Sequence, residues 1–225
     1  MVPRQFSQTN TRRQFSSGNA SFHPIQSVGR NPKVPSLVLP WRENSRMLCT
    51  DCHNNDQASS LSKSVVSGPH GSVYSPLLER QELLTDFTPE SPSSYALCYG
   101  CHSRSSILGD QSFRASNSQG QDRGHRFHVV DQQTACTTCH DPHGVATASH
   151  LINFNKVYVT PSSTGQMLYT STGNGSGTCT LTCHGFTHNA SAYPIPAPFL
   201  RAGAKRSRVG RIKNNFSAVE SAKSG

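Results

Sequence analysis

Two cysteines, a short spacer and a histidine directly after the second cysteine recur four times in this chain, and no other feature limits its folding so strongly. Three copies are clean: Cys49-Thr-Asp-Cys52-His53, Cys98-Tyr-Gly-Cys101-His102 and Cys136-Thr-Thr-Cys139-His140. The fourth, Cys179-Thr-Leu-Thr-Cys183-His184, carries one extra spacer residue. Two sulfurs on one tight loop can form thioethers with both vinyl groups of a porphyrin, while the next imidazole falls under the iron. The pattern therefore predicts four covalently attached haem c groups, with His53, His102, His140 and His184 as proximal ligands. Zinc knuckles also use paired cysteines with histidine, but they seldom need the histidine directly after the second cysteine. Disulfides across such short loops would tie nothing distant together.

The rest of the composition agrees with cofactors serving as the core. Only 33% of the 225 residues are hydrophobic, and 17 glycines and 14 prolines interrupt regular structure. Four apolar discs supply the missing buried surface. The fold expected is mostly irregular loop with short helices wrapped around haems, arranged as two tandem dihaem units. The formal charge of +9 falls to about +5 once four oxidised haems each add about −1. With no nucleic-acid motif in view, that partner is set aside. No stretch reaches the length of a membrane span. Haem attachment of this kind takes place outside the cytoplasmic membrane, so the expected location is extracellular or cell-surface, with the periplasm as alternative. An export signal is expected, although residues 1–20 show no apolar signal core.

Along the chain, residues 1–20 read as an extended arm, 21–115 as the first dihaem unit, 116–195 as the second and 196–225 as a basic tail. Pro76 to Leu84 is the best short helical candidate, and residues 155–160 a possible strand. The halves align as a repeat: an upstream histidine, a motif, a Pro-His-Gly, an apolar segment and a second motif. His23 and His70 fill these places in the first half, His125 or His128 and His143 in the second. Seven histidines thus compete for four distal positions: His23, His70, His125, His128, His143, His150 and His188. The favoured set is His23, His70, His125, His128 and His143, since His150 and His188 have no counterpart in the repeat. His143 and His188 follow their own motif histidines too closely to pass round the same macrocycle, so each, as a ligand, serves a different haem. His125 and His128 could leave one helical turn toward two irons.

Ser21-Phe-His-Pro, Cys49-Thr-Asp-Cys-His-Asn-Asn-Asp, Ser67-Gly-Pro-His-Gly-Ser, Ala96-Leu-Cys-Tyr-Gly-Cys-His, Cys139-His-Asp-Pro-His-Gly, Ser149-His-Leu-Ile-Asn-Phe and Leu181-Thr-Cys-His-Gly together resemble the multihaem c-type cytochromes. Within them, the chain is most similar to the tetrahaem outer-surface cytochromes that polymerise into conductive filaments. The resemblance implies low-spin bis-histidine haems in a continuous stack and long-range extracellular electron transfer. It also implies a homopolymer in which His23, by position, ligates a haem of the adjacent subunit. Redox proteins or extracellular acceptors are the expected partners. An electron carrier without a substrate site is therefore expected, not an enzyme; a monomeric periplasmic shuttle is the alternative. A multihaem reductase would need an open iron position, whereas this chain has surplus histidines.

Overall fold

The computed structural model describes residues 2–57, 68–114, 123–173 and 175–193. The basic tail and the boundary near residue 115 lie outside the described residues. Among those described, no helix is long and apolar enough to cross a membrane.

Regular structure in the first half is brief: α1 (Thr11–Gln14), β1 (Ser21–Phe22), a 3-10 turn at Cys49–Asp51, α2 (Ala96–Tyr99) and α3 (Arg104–Leu108). The expected helix at Pro76 to Leu84 does not form. Its backbone is spent elsewhere: Leu83 N–H donates to Ser94 O and Leu97 N–H to Gln81 O, tying the segment to the start of α2. Leu78 is buried while Leu77 and Leu84 stay exposed.

The second half is more ordered than an irregular wrap. A wide turn at Phe127–Asp131 is followed by α4 (Cys136–Cys139), β2 (Gly144–Val145), β3 (Val159–Thr160), β4 (Leu168–Gly173), β5 (Ser176–Cys183) and β6 (Phe186–Tyr193). Of the strand expected at 155–160, only β3 is extended, because Tyr158 and Val159 N–H both turn back to Asn155 O. β5 is the centre of an antiparallel sheet, with β6 along one edge and β4 and β3 along the other. Alternation explains the strand. Cys179, Leu181 and Cys183 pack on the Ile152, Phe154 and Val159 cluster, while the intervening threonines suit a pleated, half-buried surface.

Contacts join the two halves. The N-terminal arm folds back on the second half: Arg4 donates to Thr137 O (2.5 Å) and Asn153 O (2.9 Å), and Phe6 N–H to Asn153 Oδ1 (2.8 Å). β1 pairs antiparallel with β2, Phe22 opposite Gly144. The apolar core is thin, and Leu39, Leu48, Val73, Phe87 and Phe186 remain more than half exposed.

Candidate haem centres

In the three clean motifs the local fold is shared. α4 holds both of its cysteines, while Cys52 and Cys101 lie just past the 3-10 turn and α2 in turns closed by their own N–H on Cys49 O (3.3 Å) and Cys98 O (3.2 Å); residues three apart on such a turn stand about 5–6 Å from each other. Each then closes with the same hydrogen bond, from the motif histidine's N–H to the carbonyl of its first cysteine: His53 to Cys49 (2.8 Å), His102 to Cys98 (2.9 Å) and His140 to Cys136 (3.0 Å). That bond sets the imidazole at a fixed place beside the sulfur pair. All eight cysteines are free thiols.

The fourth motif is built differently. Cys179 and Cys183 lie on β5, where four residues extend over about 13 Å. Cys183 pairs with Phe186, and His184 (φ 49°) and Gly185 (φ 77°) form the two-residue turn between them, both in the left-handed region that such tight hairpins require.

The histidines come together in pairs. Among the described residues, four histidine pairs are in ring contact: His53 with His143 (6.3 Å between centroids), His102 with His23 (6.4 Å), His140 with His125 (6.2 Å) and His128 with His188 (6.5 Å). An imidazole nitrogen binds a first-row metal at about 2.0 Å and the centroid lies about 1.2 Å behind it, so two rings across one metal have centroids about 6.4 Å apart. Other aromatic contacts in this chain have similar spacing, so the distance alone does not decide. The ring nitrogens add a second observation. His53 Nδ1 donates to Pro76 O (3.1 Å), His140 Nδ1 to His150 O (2.8 Å), His128 Nδ1 to Gly124 O (2.9 Å) and His143 Nδ1 to Gln14 Oε1 (3.0 Å). His23 Nδ1 donates to Pro142 O, and His102 Nδ1 pairs with Ser36 Oγ (2.8 Å). Holding Nδ1 in this way fixes the tautomer and reserves Nε2, which is how metal-ligating histidines are oriented.

Burial favours the neutral form, the one that ligates, at His23, His102, His125, His140, His143 and His188. Desolvation lowers His102 and His140 to about 4 and His125 to about 3; it also lowers His23 and His143. Yet all eight paired rings keep some accessible surface, as rings lining a slot do.

The centres follow one another in sequence order. Burial first, then Cys101, pushes Cys52 up to about 12. Cys98 and Cys136 bring their sulfurs together with Glu82 within 4.8 Å, and Cys139, raised chiefly by burial, also feels Cys183 and Cys179. The histidines form the same line: after the effect of burial, His143 feels His53 and His23, His102 feels His23 and His140, and His125 feels His140 and His128. Glu82, Cys98 and Cys136 are a poor zinc site, because they supply three donors where structural zinc takes four, and they split two motifs.

His23 faces His102 of its own chain, because the arm is anchored on the second half and β1 carries it beside β2. His70 is exposed and faces no histidine among the described residues; the repeat equated it with His143, but the β1–β2 ladder serves only His143. His150 is likewise exposed and lends its carbonyl to His140. His188, which has no counterpart in the repeat, stands opposite Leu181 on the β5–β6 ladder.

The Pro-His-Gly signature has a local cause at Gly144. His23 N–H donates to His143 O (3.0 Å), so histidines of the first two centres sit side by side on the ladder. A Cβ on Gly144 would collide with the Gln14 carbonyl and come within 2.9 Å of Phe22 Cβ. Gly144→Ala is expected to cost about 2–3 kcal/mol and to disturb both neighbouring histidines; thermal melting beside the parent protein checks this.

No family model, curated protein or solved structure matches this chain. The three clean motifs fit covalent haem in sulfur pair, adjacent imidazole and opposing imidazole. The fourth offers a histidine pair but a spread sulfur pair.

Proposed function

We propose that this chain is a tetrahaem c-type cytochrome that carries electrons along a line of four centres. The single observation behind this reading is that each clean motif histidine has a second imidazole opposite it at the spacing of a bis-histidine iron. When bound, each haem supplies a reversible one-electron iron couple. The protein's part is to hold four such groups in sequence order, keep their histidines neutral and occupy both axial positions. That last feature favours a carrier over a reductase, which must leave one iron position open.

Mass spectrometry of the denatured holoprotein, with a pyridine haemochrome assay, is expected to count four covalent haems. A count of zero, or zinc in their place, ends the reading. The proposed location is outside the cytoplasmic membrane, at the cell surface, with redox proteins or extracellular acceptors as partners. Head-to-tail stacking of copies would join the Cys49 end of one line to the Cys179 end of the next, and no exchange of His23 is needed. Electron microscopy of concentrated holoprotein is expected to show filaments, whereas a persistent monomer leaves a single-chain shuttle.

A further inference from the structure

We propose that Ser36 is a positioning residue that sets the reduction potential of the second iron, through its hydroxyl on the ring of His102. This inference rests on the tetrahaem reading above and names a residue that tunes one of its clean centres.

The three clean motif histidines engage Nδ1 in two ways. His53 donates to Pro76 O (3.1 Å) and His140 to His150 O (2.8 Å), both amide carbonyls. His102 meets a side chain instead, the Ser36 hydroxyl, 2.8 Å away. A histidine that gives Nε2 to a metal keeps its proton on Nδ1, so in the loaded protein Nδ1 donates and Ser36 Oγ accepts. The two kinds of acceptor are unequal. A carbonyl oxygen carries more partial negative charge than a hydroxyl oxygen, so it draws harder on the Nδ1 proton and makes Nε2 the stronger donor to ferric iron. With the weaker acceptor, ferric iron is less favoured, and the potential stands higher than a carbonyl on His102 would leave it.

The hydroxyl is held in place by its own loop. Ser36 is 4% exposed, and the residues on either side of it are tied to the second motif and to α3. Ser36 O accepts from Ser103 N–H (2.5 Å), and Val38 N–H donates to Cys101 O (3.0 Å). Leu37 bridges to His102 itself. Ser106, buried in α3, donates its hydroxyl to Pro35 O (3.1 Å). The backbone that carries Oγ is therefore fixed before the hydroxyl is placed, and the burial of Ser36 keeps bulk water from taking its position.

The test uses the holoprotein with Ser36→Ala and Ser36→Thr, read by potentiometric titration in absorbance and by paramagnetic resonance of the ferric state. Alanine removes the acceptor, whereas threonine keeps the hydroxyl. In Ser36→Ala one of the four potentials is expected to rise by about 30–60 mV, a three- to tenfold gain in the ferrous-to-ferric ratio at fixed ambient potential, with every covalent haem retained and no new high-spin iron. Ser36→Thr is expected to keep the parent potentials. Potentials in Ser36→Ala that are unchanged, or that all move together, overturn the proposal and leave the electron-transfer reading standing. So does a shift in Ser36→Thr as large as that in Ser36→Ala. A parent protein with no covalent haem overturns the tetrahaem reading, and this inference with it.

Discussion

Asp86→Ala is expected to be the most destabilising single substitution in the described chain, at about 3–5 kcal/mol, the cost of leaving a buried ionic or hydrogen-bonded partner uncompensated. The Asp86 side chain has no exposed surface. Its Oδ1 accepts from Ala135 N–H (2.9 Å) and from the Thr138 hydroxyl (2.5 Å), and its Oδ2 meets His184 Nε2 (2.6 Å). Ala135 is the N-cap of α4 and has no capping side chain, and Asp86 accepts its backbone N–H from 49 positions away, the donor that an N3 Glu or Gln takes in a capping box. Alanine leaves three donors without partners inside the protein, between the third motif and the fourth. Against a total stability of about 5–15 kcal/mol, the loss is large, and the melting temperature should fall by roughly 10 °C or more. Asp86→Asn keeps one acceptor oxygen and should fall between the parent and Asp86→Ala. Denaturant melts within about 1 kcal/mol of the parent for Asp86→Ala would show that the carboxylate is not the joint described.

Asp86 also marks where the sequence stops being legible. A motif whose members are adjacent can be read directly, and the eight cysteines with His53, His102 and His140 are of that kind. A contact between Asp86 and Ala135 depends on how two distant loops meet, and no local period encodes it. The distal histidines lie between these cases. Their surplus was visible, and so was the rule that His143 must serve a haem other than its own; the structure sets it against His53. Their pairing was not visible, because it depends on a two-residue ladder between β1 and β2 that leaves no sequence period. The repeat treats His70 as the equal of His143, but the Pro-His-Gly of the first half has no strand partner among the described residues. The sheet holding the fourth motif was partly legible, since Thr178 to Cys183 alternates as a half-buried strand should. Reading that stretch only as a stretched attachment motif concealed it.

His23→Ala and His70→Ala, compared side by side, decide between the repeat and the geometry. The repeat gives both histidines a ligand's role. The structure puts the His23 ring 6.4 Å from His102, fixes its Nδ1 on Pro142 O and binds its backbone to His143, while His70 is exposed. On the proposed tetrahaem reading, loss of His23 removes one axial ligand from the second of four centres in line, so roughly one iron in four should turn high-spin, with all covalent haems retained because both thioethers are untouched. Added imidazole should restore the low-spin state, which separates a lost ligand from general unfolding. The second centre is interior, so reduction from one end of the line should reach the far centres more slowly in stopped-flow absorbance. His70→Ala should leave spin state and rate as in the parent. His23→Ala should not prevent copies from associating, because the ligand it removes is spent within one chain. Four low-spin irons in His23→Ala would take His23 out of the coordination sphere, and a high-spin iron in His70→Ala would return the first-half Pro-His-Gly to the role the repeat gives it.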